Sequence, residues 1–148
     1  MATLGELAIR GLFAVVFIAG GIAHLVLGRV HPEGYAVFGD TALLPWLGSL
    51  WSSFVMPNIG WLTIVLGAYE LACGIGMLRR RTVRVAAWGM LAFLVFITVV
   101  GYGFATDSIG EDVMVNRSIS IVMALLLIPL LAPGHDQMSD DESATSSP

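Results

Sequence analysis

Four stretches of this chain stay apolar for about twenty residues each, long enough for a helix to cross a bilayer core of about 30 Å. They are residues 7–27, 58–78, 83–105 and 113–131, the last closed by Pro133 and Gly134. The first is read as a retained span. It is long for the apolar part of a signal peptide, and no small-x-small cleavage site follows it. Residues 43–56 carry a different pattern. Trp46, Leu47, Leu50, Trp51 and Phe54 share one helical face, and Gly48, Ser49, Ser52 and Ser53 share the other. This piece is too short to span and predicts an amphipathic helix lying at the membrane interface, anchored by its two tryptophans. The stretch His31-Pro-Glu-Gly-Tyr35 ahead of it reads as a turn. The expected architecture is all-α: a transmembrane four-helix bundle over residues 1–133, with an extra amphipathic interfacial helix between spans one and two.

Composition agrees with a lipid-solvated surface. Of 148 residues 57% are hydrophobic and 12% charged, and the mean hydropathy is +0.85; soluble domains carry about 25% charged residues. The net charge of −4 has a local origin. Asp136, Asp140, Asp141 and Glu142 lie in residues 134–148, which hold no Lys or Arg. Without them the chain balances seven acidic against seven basic residues. The tail is expected to be disordered and cytoplasmic, and nothing points to nucleic acid. Arg79, Arg80, Arg81 and Arg84 fall between spans two and three, so the positive-inside rule makes that loop cytoplasmic. Both termini would then be cytoplasmic in a multi-pass plasma-membrane protein, with residues 28–57 outside. The single cysteine, Cys73, excludes dithiol chemistry within the chain and reads as a small packing residue.

One residue breaks the apolar pattern. Glu70 lies near the middle of span two, where an ionised carboxylate costs roughly 2.5–3.5 kcal/mol unless it is paired, protonated or wetted. Gly60, Gly67 and Gly74 recur every seven residues, with Thr63, Glu70 and Met77 each three further on. This stripe lets another helix approach and directs Glu70 inward. On span one, Phe17, Gly20, Gly21, His24 and Gly28 share a face, so His24 also points inward. As an inward histidine it is a structural hydrogen-bonding group, a proton or quinone contact, or a haem or metal ligand. At 1.5 Å per residue Glu70 and His24 differ in depth by about 12 Å, which predicts no direct contact. Arg10, about one turn into span one, is the cation expected to reach Glu70, unless it extends to lipid phosphate instead. Asn116 and Arg117 open span four beside Tyr102, Asp107, Glu111 and Asp112. Arg117 is expected to reach Asp112 or a headgroup, or to form an outer polar pocket with His24, Tyr102 and Asn116. The chain has no paired-histidine haem spacing, Cys-x-x-Cys or Glu-x-x-His, and no metal is expected; His31 and His135 add no ligand geometry.

The segments Arg10-Gly-Leu-Phe-Ala-Val-Val-Phe17-Ile-Ala-Gly20-Gly-Ile-Ala-His24 and Gly67-Ala-Tyr-Glu70-Leu-Ala-Cys-Gly74-Ile-Gly-Met-Leu78 resemble the first two helices of DoxX-type membrane proteins. The second shows the pattern Gly-x-x-Glu-x-x-x-Gly-x-x-x-Leu. The resemblance covers about residues 7–131 and implies a small four-helix membrane protein. Relatives of that type include subunits of quinone-linked oxidoreductases, among them thiosulfate:quinone oxidoreductase and terminal quinol oxidase assemblies, and proteins of thiol balance and oxidative-stress defence. It picks out Arg10, Gly20, Gly67, Glu70 and Gly74. The lone Cys73 departs from a thiol-exchange role, and the long segment before span two suggests a divergent branch. The expected function is an accessory or assembly subunit of a membrane redox complex, with no cofactor site of its own. The alternative is a quinone-interacting oxidoreductase subunit in which Glu70 and Arg10 handle protons. Candidate catalytic residues are Glu70, Arg10 and His24; candidate quinone contacts are His24, Tyr102, Asn116 and Arg117. Expected partners are the lipid bilayer, other membrane or peripheral redox proteins, and a second copy of the chain.

Overall fold

The computed structural model describes residues 3–131, so the expected acidic tail and His135 lie outside the described residues. Thr3 starts the first helix. Its hydroxyl accepts the N–H of Glu6 while the Glu6 carboxylate accepts the N–H of Thr3, a reciprocal cap that satisfies two end donors. The helix, α1, runs Leu4–Val30. Three more long helices follow: α2 over Ile59–Leu78, α3 over Val83–Val100 and α4 over Ser118–Leu131. Among the described residues the remaining backbone is short helical turns and loops, with no strand.

The four apolar runs that contain these helices are each long enough to cross a membrane. Only 28–33% of the residues in each apolar window are buried inside the protein. The rest, including Val15, Val65, Trp88, Val95 and Leu125, presents large apolar side chains outward. Water would not tolerate such a surface over four helices, and a bilayer does.

The bundle is built from two antiparallel pairs, α1 with α2 and α3 with α4, joined across α2 and α3. Close backbone approach fixes the first pair. A Cβ placed on Gly21 would lie 2.7 Å from the Gly67 carbonyl oxygen, and one on Gly67 would lie 2.7 Å from that of Gly21. Only hydrogen fits at either position. Farther along, Gly74 meets Ala14 and Ile18, and Gly28 meets Thr63. The stripe expected on α2 is buried at Thr63, Gly67, Glu70, Gly74 and Met77. Gly60 is an exception: it is exposed, with no neighbour near its Cα. The main core gathers Phe13, Phe17, Met77, Met90, Leu94 and Leu127 from all four helices.

The helix expected over residues 43–56 starts two residues later, at Pro45, and runs on into α2. Pro45–Leu50 is α-helical, Trp51–Val55 widens to a π-turn and Met56–Asn58 tightens to a 3₁₀ turn, giving a helical run Pro45–Leu78 of 34 residues. The change in helix type accommodates Pro57, which cannot donate a backbone hydrogen bond. The expected apolar face divides here. Leu47 and Trp51 are buried with Val100, while Trp46, Leu50 and Phe54 face outward.

The third helix is shorter than the expected residues 83–105. Gly101 ends it with φ 86°, a conformation that L side chains rarely adopt, and Gly103 follows with φ 81°. The extended strip after Val100 leads to the turn Ile109–Asp112, capped by the Ser108 hydroxyl, and then to a π-turn at Val113–Arg117 that feeds α4. The fourth apolar run therefore starts at Ile109, four residues before the expected start.

Candidate functional site

The site forms beside the close Gly21–Gly67 contact of α1 and α2. Gly20 faces the Glu70 carboxylate: a Cβ on it would sit 3.1 Å from Oε2 and 3.4 Å from Oε1. Glu70 is 4% exposed, and its Oε2 has no hydrogen-bond partner among the described residues. An orphaned buried oxygen of this kind costs roughly 1–3 kcal/mol, more if charged. The nearest basic atom is Nε2 of His24, 3.6 Å from Oε2. That separation is too long for a hydrogen bond and short enough to become one with a shift of about 0.6 Å.

The contact overturns the expected separation. Gly21 lies against Gly67, which puts His24 level with residue 64 and about 9 Å from the level of Glu70. The side chains bridge the remainder because each leans toward the N-terminus of its own helix. In an antiparallel pair the N-termini lie at opposite ends, so the His24 and Glu70 side chains lean toward each other.

The same rule turns Arg10 away. Its side chain leans from Glu70 toward the start of α1, and its Nε donates to the Met77 carbonyl at 3.0 Å. The Arg10–Glu70 pair expected from the sequence is not formed. Arg10 instead caps the end of α2, where carbonyls lack helical partners.

His24 continues the chain of polar groups outward. Its Nδ1 lies 2.7 Å from the Tyr35 hydroxyl. The Tyr35 ring is stacked on Phe38, and its carbonyl accepts the indole N–H of Trp51 at 2.7 Å. Burial raises the Tyr35 phenol above its usual range, and the charge of Glu70 adds to the shift. Both ring nitrogens of His24 therefore face protein oxygens, which leaves neither directed at a haem or metal. Among the described residues no three His, Cys, Asp or Glu side chains gather in a metal-binding arrangement. Tyr35 was not legible as a site residue. It sits in the turn after α1, and no spacing in the sequence ties it to His24.

The second polar cluster is a clamp. Arg117, 4% exposed, donates from Nε to Asp112 Oδ2 at 2.7 Å, from Nη1 to the Thr98 carbonyl, and from Nη2 to the Thr41 carbonyl at 2.7 Å. Asn116 is fully buried. Its Oδ1 accepts the N–H groups of Tyr102 and Phe104 at 3.2 and 3.0 Å, and its Nδ2 donates to the Phe104 carbonyl and to Asp112. Thr41 ties in the remaining segment, donating to the Val100 carbonyl and accepting from the N–H of Gly103. Arg117 thus reaches Asp112 as expected, but the outer pocket with His24 does not form. Tyr102 enters the cluster through its backbone N–H, while His24 belongs to the Glu70 site. The clamp satisfies the backbone of the strip after α3, which would otherwise bring unpaired groups to the end of the bundle.

A buried carboxylate with one unsatisfied oxygen, an imidazole within a small movement of it, and a phenol bonded to that imidazole can pass a proton. The three groups offer no redox centre. Comparison with protein-family models, with curated proteins and with solved structures gives no match.

Proposed function

We propose that this chain is an accessory subunit of a membrane redox assembly, DoxX-like in its first two helices, whose own part is proton handling at Glu70. The observation that carries the reading is the buried, unpartnered Oε2 of Glu70 lying 3.6 Å from His24 Nε2. A purely structural carboxylate would be expected to have all its bonds made. Ionisable groups inside membrane helices mark proton and substrate routes.

The relay balances atom by atom. A proton on Oε2 passes to Nε2, the proton on Nδ1 passes to the Tyr35 oxygen, and the Tyr35 hydroxyl proton passes to a water molecule at the loop end, forming hydronium. Three bonds to hydrogen break and three form, and the net result is one proton delivered from Glu70. His24, not Arg10, is the partner that this reading needs. Electrons come from a partner protein, and a membrane quinone is the acceptor that the DoxX resemblance brings. The arginines of the turn between α2 and α3 support placing that turn, and both termini, on the cytoplasmic face of the plasma membrane.

The test replaces Glu70 by Gln and His24 by Gln in cells. Both variants should accumulate in the membrane, and quinone-dependent activity of that membrane should fall. Loss of accumulation in Glu70→Gln, or full activity in both, would refute the proposal.

A further inference from the structure

Charge is divided unevenly between the two ends of the bundle. The Thr98 hydroxyl, near the end of α3, donates to that of Ser120, near the start of α4, at 2.8 Å. Leu131, at the end of α4, therefore comes level with about Ala87, roughly 6 Å from the start of α3. The start of α1, the turn between α2 and α3 and the end of α4 thus share one end. Arg10, Arg79, Arg80, Arg81 and Arg84 lie there. Among the described residues Glu6 is the one carboxylate at that end, and it is engaged by the N–H of Thr3. The opposite end is acidic, with Glu33, Asp40, Asp107, Glu111 and Asp112 against Arg29 and Arg117. Arg79, Arg80, Arg81 and Arg84 are exposed, and among the described residues none forms an ion pair. Guanidinium groups gathered in one short turn attract anions strongly.

We infer that the acidic segment 136–142 of this same chain docks on the arginine face of the turn between α2 and α3. Asp136, Asp140, Asp141 and Glu142 match Arg79, Arg80, Arg81 and Arg84 in number, and residues 134–148 hold no Lys or Arg. The segment follows directly from the end of α4, at the basic end of the bundle. Asp136 is five residues past Leu131 and Glu142 eleven, so an extended chain carries them as far as about 17 and 37 Å. Packed helices lie about 10 Å apart, so this reach takes in every arginine of the turn. Lipid phosphates also suit guanidinium groups, but each headgroup brings its charge separately. The tail brings four carboxylates on one strand that is tethered beside the turn, so the later contacts form at high effective concentration. Exposed ion pairs are individually weak, and the contact is therefore sensitive to salt. The docked tail is a cover over the basic face, and an anionic partner binds that face by displacing it. This inference is independent of the proton-handling reading of Glu70.

The experiment uses the full chain in nanodiscs of phosphatidylcholine, whose headgroups carry no net charge. Ser139→Cys, in a Cys73→Ser background, is labelled with a benzophenone maleimide, and photoadducts are located by mass spectrometry. Adducts should concentrate on residues 79–84. Combining Asp136→Asn, Asp140→Asn, Asp141→Asn and Glu142→Gln should lower them about fivefold, and Arg79→Gln with Arg80→Gln and Arg81→Gln should do the same. The unsubstituted tail should lose its adducts in about 1 M NaCl, where charges are screened within about 3 Å. Trypsin cleavage after Arg79, Arg80 and Arg81 should quicken about fivefold when the tail is neutralised. The tail variant alters no residue of the bundle, so it decides the matter even where the arginine variant fails to accumulate. Adducts spread evenly over that end of the bundle, or unchanged by neutralising the tail, would overturn the docking. So would protection from trypsin that appears when phosphatidylglycerol is added and is equal with either tail; the arginines would then be a site for lipid headgroups.

Discussion

Glu70→Gln should leave the fold as stable as the wild type or make it more stable. Oε2 is buried without a hydrogen-bond partner and lies 3.6 Å from Nε2 of His24. An unsatisfied buried acceptor costs roughly 1–3 kcal/mol, more when it carries charge. Gln keeps the shape, removes the charge and supplies an N–H that can donate to Nε2, so the gain expected is about 1 kcal/mol. The substitution lengthens nothing, and the 3.1 Å gap toward the position of a Gly20 Cβ is unchanged. The assay is thermal unfolding of the purified protein in mild detergent, followed by tryptophan fluorescence, with infrared difference spectra confirming loss of the buried carboxyl signal. A destabilisation of more than about 2 kcal/mol would refute the reasoning. It would mean that Glu70 makes bonds essential to the fold, so that its oxygen is not an orphan kept for function.

Three further outcomes follow from the packing. Asn116→Leu strands the N–H groups of Tyr102 and Phe104, at a cost of about 2–4 kcal/mol, and amide exchange at those two positions should accelerate; unchanged exchange would show that the clamp does not hold the strip. Gly21→Val would bring a Cβ within 2.7 Å of the Gly67 carbonyl oxygen, so α1 and α2 must separate; a loss of about 3 kcal/mol is expected, and a melting temperature equal to wild type would contradict the close approach. Arg10→Met removes one bond to the Met77 carbonyl, costing about 1 kcal/mol, and should leave the Glu70 infrared band in place; a shift of that band would restore Arg10 as the partner of Glu70.

Much of the bundle could be read from side-chain pattern. The apolar runs, the inward direction of Glu70 and His24, and the glycines that let α1 and α2 meet were visible because helical period alone puts positions three, four and seven apart on one face. The sites were read less well, because they depend on contacts between segments distant in sequence. Tyr35, Thr41 and Ser120 are ordinary loop and helix residues in the sequence. They become the partner of the His24 imidazole, a backbone tie and a partner of the Thr98 hydroxyl only after folding. The helical run through Pro57 was hidden because a proline usually reads as a boundary, whereas a π-turn before it and the 3₁₀ turn that contains it absorb the missing donor.

By itself the sequence determined that this is a helical protein with four apolar runs long enough for a bilayer, and that a carboxylate faces inward from one of them. Hydrophobic length and helical period are local properties and need no knowledge of the fold. Only the tertiary structure decided which group meets that carboxylate. Depth counted along each helix treats side chains as level with their own Cα atoms, and so it paired Glu70 with Arg10 and separated it from His24. Antiparallel packing tilts the His24 and Glu70 side chains toward each other and carries Arg10 to the Met77 carbonyl, and that difference in direction is larger than the difference in depth.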